Sequence, residues 1–377
     1  MNQHYLFSAP GRTEISGNHT DHQHGCVLAA AVNLETVADV TLNGADVIRV
    51  CSEGYAPVEI DIRDLSIREA EKNTTAALIR GVAAAFAARG AVLHGFDAAV
   101  RSTVLPGSGL SSSAAFEVLI GTILNELFFE KKLSAVEIAQ IGQYAENVYF
   151  GKPSGLMDQT ASSVGGMVFI DFADPANPVV ERLDFDFSAA GHALCIIDSG
   201  ADHANLTHEY AAIPQELRAV CAQFGKEVLR DIPEAEFFAA LPRLRGTVPD
   251  RAILRAIHVY QENKRVLRQA EALRAGDFDA FLRLAVASGR SSWMYLQNIT
   301  PAGETEHQAV AVALALCDTL LGGRGAFRVH GGGFAGTVQA FVPMDLLEQF
   351  KSGIEAVLGE GSCHVLSIRP EGGIRVK

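Results

Sequence analysis

Glu146, Asp158 and the stretch before Ala114 are the residues whose types and spacing best suit phosphoryl chemistry. Glu146 sits off the apolar stripe of its helical segment, and Asp158 follows the glycine-bearing turn in Pro153-Ser-Gly-Leu-Met-Asp-Gln159, just inside a new helix. One carboxylate can hold Mg2+ while the other accepts a hydroxyl proton. Pro106-Gly-Ser-Gly-Leu-Ser-Ser-Ser-Ala114 supplies what a polyphosphate needs: glycines that admit an anion to backbone N–H groups, a helix N-terminus, and serine hydroxyls for phosphate or metal. No Gly-Lys-Ser/Thr closes it, so it is not a Walker A loop, and the spacing is wrong for a dinucleotide fingerprint. Gly11-Arg-Thr-Glu-Ile-Ser-Gly-Asn-His-Thr-Asp-His22 packs a cation, a carboxylate and several hydrogen-bonding groups between glycines, which suits a polyhydroxylated ligand. His330-Gly-Gly-Gly-Phe-Ala-Gly336 is a tight glycine turn. Each segment also has a plainer reading: a serine helix cap, a polar surface turn, a solvated Glu with a first-turn Asp, and a hairpin.

The elements that must position these groups are legible in outline. Strands are expected over residues 26–62, then an alanine-rich helix from Thr74 to Arg89 closed by Gly90, and a strand near Phe96 to Val104. Pro106 and its neighbouring glycines end that strand, and Ala115, Leu119, Ile123 and Leu127 repeat at helical spacing behind the loop. Ser134-Ala-Val-Glu137 is a capping box for a helix burying Ile138, Ile141, Ala145 and Val148, and a short helix starts near Leu156. From Gly191 the pattern turns to long helices (Glu209 to Leu229, Arg251 to Ala275, Glu304 to Leu321) with strands at Ala193 to Asp198, Ala326 to His330 and Thr337 to Val342. With 377 residues, more than one core usually organises, two domains are expected, at 1–190 and 191–377.

Composition narrows the partners. At 48% hydrophobic and 20% charged residues, the chain has apolar material for substantial cores. A net charge of -13 opposes nucleic acid, and no cluster of Lys and Arg with interleaved aromatics overcomes it locally. No stretch reads as a signal peptide or a membrane span. The six cysteines form no CxxC pair or zinc-finger spacing, as expected for free thiols in a reducing cytoplasm. The pattern specifies no oligomeric state.

Taken together and in order, Pro10-Gly-Arg with Gly17-Asn-His-Thr-Asp21, then Gly107-Ser-Gly-Leu-Ser-Ser-Ser-Ala-Ala115, then Gly331-Gly-Gly-Phe-Ala-Gly336 resemble the three motifs of the galactokinase, homoserine kinase, mevalonate kinase and phosphomevalonate kinase superfamily. His19-Thr-Asp21, Gly155-Leu-Met-Asp-Gln159 and His203-Ala-Asn-Leu-Thr-His-Glu-Tyr210 are similar to the galactokinase branch. The resemblance implies an α+β fold with an N-terminal domain containing a left-handed βαβ crossover, a C-terminal ferredoxin-like domain, and the active site between them. It implies a kinase that takes a small-molecule sugar and MgATP. Asp158 would accept or orient the proton of the anomeric hydroxyl beside Arg12, and Ser113 and Glu146, with Ser112 near them, would surround Mg2+. Asn18, His19, Asp21, Gly155 and Tyr210 would contact the sugar. Pro106, Gly107, Ser108, Gly109, Leu110, Ser111, Ser112, Ser113 and Ala114, with Gly332 and Gly333, would cradle ATP.

The chain departs from the galactokinase pattern at several of these places. That pattern carries Glu where Asn18 stands, Tyr at His22, Val-Asn at Thr13-Glu14 and Thr at His330, and the adenine-side Trp and Tyr align to Thr75 and Leu78. Three readings follow: a kinase acting on the anomeric hydroxyl of galactose, the same chemistry on another hexose such as an N-acetylhexosamine, and a non-catalytic sugar sensor. Asp158, Arg12, Glu146 and the serine triplet weigh against the sensor.

Overall fold

The chain builds two sheets, and the site residues gather where the leading strand of one meets the other. The computed structural model describes residues 4–104, 109–201, 206–334 and 336–377. In chain order the strands are β1 (His4–Ser16), β2 (Cys26–Leu42), β3 (Val47–Ser52), β4 (Val58–Asp61), β5 (Phe96–Ser102), β6 (Met167–Asp171), β7 (Val179–Leu183), β8 (His192–Asp198), β9 (Ala326–His330), β10 (Thr337–Pro343), β11 (Cys363–Leu366) and β12 (Ile374–Arg375). The helices used below are α1 (Thr75–Ala88), α2 (Ser112–Phe128), α3 (Ala135–Tyr144), α4 (Met157–Val164), α5 (Thr207–Ala222), α6 (Asp250–Arg274), α7 (Phe278–Ser291), α8 (Ala309–Leu321) and α9 (Leu347–Leu358).

The first sheet runs β12-β1-β2-β5-β3-β4, with β6 and then β7 added alongside the start of β2. β3 and β5 are parallel, and the chain crosses between them through β4 and α1, because parallel neighbours cannot be joined by a tight turn. The apolar face of α1 (Ile79, Val82, Phe86) and that of α2 (Leu119, Ile120, Ile123) seal against this sheet. The second sheet has the order β11-β8-β10-β9, all antiparallel. Taken as strand 4-1-3-2 with helices after its first and third strands, it is ferredoxin-like. Its α8 and α9 bury Leu314, Cys317, Phe350 and Ile354 against one face. On the other, Leu194, Phe281 and Phe341 share a core with Ile15, Leu28 and Leu110 of the first half, which fixes the two sheets around the site. The chain end returns to the first sheet, where Ser8 pairs with Ile374 and Arg369 binds Glu35 at 2.6 Å.

Several sequence expectations are corrected. A strand precedes residue 26: β1 begins at His4 and passes through Pro10-Gly-Arg12, where a register shift marks an irregularity that the alternation of side chains did not betray. α3 buries Ile138 and Ile141, and Ala145 is buried directly after it, but Val148 is exposed. The cause is a π-helical turn over Ala145–Phe150, whose wider winding brings Tyr149 inward instead. α8 starts at Ala309 rather than Glu304, because the Glu304 carboxylate accepts from the N–H groups of Glu306 and His307 and holds a turn there. α5 stops at Ala222, short of Leu229. Strands β6, β7, β11 and β12 and helices α7 and α9 had no counterpart in the sequence reading. Among the described residues no helix is long and apolar enough to cross a membrane.

Candidate active site

The site begins at the entry to α2. Pro106, Gly107 and Ser108 lie outside the described residues. Gly109 has φ +72°, and a Cβ there would stand 3.0 Å from Thr337 Oγ1 and 3.1 Å from His330 Nδ1, so Gly109 lies directly against the strands flanking the third glycine motif. Leu110 is buried and accepts the Arg12 backbone N–H at 3.0 Å. Ser111 takes a left-handed conformation as the N-cap, its own side chain makes no capping bond, and no acidic residue stands in the first turn of the helix. Ser112, Ser113 and Ala114 therefore open a long helix whose positive end remains available to an anion.

Arg12 reaches this entrance from β1. Its Nε and Nη2 each donate to Asp158, to Oδ1 and Oδ2, at 2.7 Å, and its Nη1 donates to the Gly109 carbonyl. Ser111 Oγ donates to Asp158 Oδ2 at 2.8 Å. Burial opposes ionisation of both partners, yet their mutual attraction prevails: Asp158 is held below the usual carboxylate range and Arg12 above its own. Asp158 is the more open of the pair, its side chain 31% exposed against 10% for Arg12.

Glu146 stands on the π turn after α3, close to Ser113, whose hydroxyl donates to Oε1 at 3.3 Å. The same oxygen receives the Lys152 ammonium at 3.1 Å, and Oε2 accepts from Gln159 Nε2 at 2.9 Å. Gln159 Nε2 also donates to Glu117 Oε2 at 2.9 Å. Burial, reinforced by the charge of Glu146, pushes Glu117 well above the usual carboxylate range. Lys152, Glu117 and the role of Gln159 were missed in the sequence. Gly151-Lys-Pro153 and the Gln following Asp158 were the only local signals.

A second cluster surrounds the loop after β1. Asp21 lies against Gly155, where a Cβ would come within 2.2 Å of Asp21 Oδ2. Burial pushes the Asp21 carboxyl upward; the His22 backbone N–H and His19 offset part of that rise, and the charge of Asp158 adds to it. His19 Nε2 is 3.2 Å from the Gly332 carbonyl, and its Nδ1 is 3.3 Å from His22 Nε2. Gln23 Nε2 completes the chain at His22 Nδ1, 3.2 Å away. A carbonyl can only accept, so His19 Nε2 and His22 Nε2 both carry protons. Burial lowers both rings, His22 to about 3. Tyr210 donates to the Gly333 carbonyl at 2.9 Å, and a Cβ at Gly332 would meet the Tyr210 ring at 2.6 Å. Gly332 and Gly333 thus touch Tyr210 and His19, two of the residues expected at the sugar. His203 and Ala335 lie outside the described residues.

Asn18 is the clear correction. Its carboxamide does not face the cleft: it is fully buried, Nδ2 donates to the Gly331 carbonyl and, at 3.3 Å, to Glu14 Oε1, and Oδ1 accepts from Asn298 at 2.9 Å. Glu14 is in turn bound by Arg328 Nη2 at 2.5 Å, and Thr13 Oγ1 stands 3.0 Å from His330 Nε2. Thr13, Glu14, Asn18 and His330, four of the departures from the galactokinase pattern, therefore belong to one interior network.

Beside Ser112 and Ser113 opens a cavity of about 360 Å³ lined by Thr36, Tyr55, Thr75, Leu78, Val104 and Phe116, among others. Thr75 and Leu78, the positions aligned to the adenine side, both face it.

Comparison with known proteins identifies the family of the chain. The family model described as "GHMP kinases N terminal domain" matches residues 77–166, and that described as "Galactokinase galactose-binding signature" matches residues 2–41. A galactokinase of Streptomyces coelicolor is 32% identical over 98% of this chain and 93% of its own. Among solved structures, Lactococcus lactis galactokinase complexed with galactose superposes with a TM-score of 0.84 at 23% identity, covering 99% of this chain and 95% of that one. Methanococcus jannaschii mevalonate kinase reaches 0.68 at 13% identity, with 97% and 98% covered. Identity sustained over nearly the whole length of both chains, on the same fold, means that this chain belongs to the galactokinase family and is a phosphotransferase of the GHMP kinase class.

Proposed function

We propose that the chain transfers the γ-phosphoryl group of ATP to the anomeric hydroxyl of galactose, forming galactose 1-phosphate and ADP. The observation that carries this reading is the Asp158 carboxylate, clamped by Arg12 and Ser111 at the open N-terminus of α2. The anomeric oxygen bonds to the γ-phosphorus as the bond to the ADP oxygen breaks, and the hydroxyl proton passes to Asp158. With its pKa held down, Asp158 is a weak base, which suits a loose transition state in which the nucleophile is deprotonated late. Arg12 keeps it ionised and offsets charge on the phosphoryl group in flight. Asp21, Gly155, His19 and Tyr210 form the sugar wall, and the Thr75 cavity takes adenine. The free state of all six cysteines supports a cytoplasmic setting.

Ser113 and Glu146 would hold Mg2+. Ser113 Oγ lies 3.3 Å from Glu146 Oε1, which already draws one cation, the Lys152 ammonium, and hard oxygen donors suit this ion. When bound it would neutralise charge on the β- and γ-phosphates. Among the described residues no group of three His, Cys, Asp or Glu is arranged to hold a metal, so phosphate and water oxygens would have to supply the remaining ligands.

A coupled ADP-release assay over a panel of hexoses tests the reading. Galactose is expected to give the highest kcat/KM. At least about tenfold preference for another hexose, roughly 1.4 kcal/mol, would reassign the acceptor, and no ADP release with any sugar would indicate a sensor.

A further inference from the structure

Lys152 has no part in the chemistry assigned above to Asp158, Arg12, Ser113 and Glu146. Its ammonium sits 3.1 Å from Glu146 Oε1, the oxygen that also accepts from Ser113, so it occupies the side of the carboxylate that faces the phosphate-binding helix. The two partners differ sharply in freedom: the Glu146 side chain is 4% exposed and held from behind by Gln159, whereas that of Lys152 is 61% exposed. The Lys152 backbone is pinned, since its N–H and that of Gly151 both donate to the Glu146 carbonyl, at 3.1 and 3.0 Å. The lysine stem, unlike its root at the Glu146 carbonyl, is exposed and unconfined over most of its surface. The entry to α2 has no lysine between Gly109 and Ala114, and Arg12 is already committed to Asp158. A chain with net charge -13 must gather a tetra-anionic nucleotide with few local cations.

We propose that Lys152 is a shuttle cation: in the resting enzyme it neutralises Glu146, and when a divalent ion takes that carboxylate it moves onto the nucleotide phosphates. This rests on Ser113 and Glu146 being the divalent-ion ligands. A divalent ion on Glu146 Oε1 repels the ammonium at close range, so its arrival drives the ammonium toward the nearest anion, the polyphosphate. The exchange keeps Glu146 neutralised at every stage. It also keeps charge balanced beside Glu117, which shares Gln159 Nε2 with Glu146.

The test combines titration of the nucleotide-free enzyme with Mn2+ alone, by calorimetry, with steady-state kinetics, for the wild type, Lys152→Met, Lys152→Arg and Glu146→Gln. Lys152→Met is expected to bind Mn2+ at least about threefold tighter than wild type, because the competing ammonium is gone, while its KM for MgATP rises about tenfold and its KM for sugar stays unchanged. Lys152→Arg should lie close to wild type in both. A surface ion pair with no further role would move neither quantity. If Lys152→Met binds Mn2+ no tighter than wild type, or keeps the wild-type KM for MgATP, the shuttle is overturned while loss of Mn2+ binding in Glu146→Gln leaves the metal site standing. If Glu146→Gln binds Mn2+ as wild type does, or none of the proteins binds it, the metal assignment and the shuttle fall together.

Discussion

Asn298 donates a hydrogen bond to Oδ1 of Asn18 at 2.9 Å, tying the loop after β1 to a residue 280 positions away. The amide of Asn18 is thereby spent on the protein, and its neighbour Glu14 carries the carboxylate that Arg328 neutralises. Relative to the galactokinase pattern, acid and amide have changed places at positions 14 and 18.

Asn18→Glu is therefore expected to destabilise the fold, since it sets a second buried carboxylate beside Glu14 with one arginine to serve both, at a cost of about 3–5 kcal/mol. Adding Glu14→Asn should recover at least half of that loss. A double-mutant cycle by urea unfolding checks it, and strictly additive effects would remove the coupling.

Asp158→Asn preserves size but gives Arg12 a neutral partner and the hydroxyl proton no acceptor. Turnover should fall about 100- to 10,000-fold with ADP affinity nearly unchanged. A variant retaining more than about a third of wild-type kcat would place the proton elsewhere.

The two cleft carboxylates should separate on acidification. Asp158 is depressed, so its ion pair with Arg12 stabilises the fold fully above the unfolded pKa of 3.8, and this contribution is lost as pH falls through the lower folded value. Asp21 is raised, so it is protonated first. The KM for sugar should rise at a higher pH than that at which kcat falls. Because burial keeps His19 and His22 neutral, neither limb should show a step near pH 6.5. Such a step, absent in His22→Gln, would contradict this.

Gly155→Ala should act on the sugar alone. A methyl group 2.2 Å from Asp21 Oδ2 must displace that carboxylate, raising the KM for sugar about tenfold or more, roughly 1.4 kcal/mol. An equal rise in the KM for ATP would show general damage instead.

Thr75→Trp should do the converse. Thr75 starts α1 and lines the cavity beside Ser113, and an indole there, which the galactokinase pattern carries on the adenine side, offers the base a stacking surface. The KM for ATP should fall several-fold with the KM for sugar unchanged, and unaltered ATP kinetics would move the base to another site.

The residues themselves determined the chemistry available and the local elements that present it. A glycine- and serine-rich break before an apolar helical repeat yields a helix start with free backbone N–H groups wherever it lies, and the capping box at Ser134 formed as the side chains require. The order of the three motifs carried the family, because each is a short run whose backbone demands are local. Tertiary structure decided which groups meet. Arg12 and Asp158 lie 146 positions apart, and their bidentate contact depends on the irregularity in β1 and on the packing of α4 beneath it. The inward turn of Asn18, the exposure of Val148 and the reach of Lys152 to Glu146 follow from long-range partners and from a π turn, none of which leaves a periodic signal. Side-chain type and spacing fix what a segment can do, whereas the direction in which each group points is set by contacts that the chain makes only after it has folded.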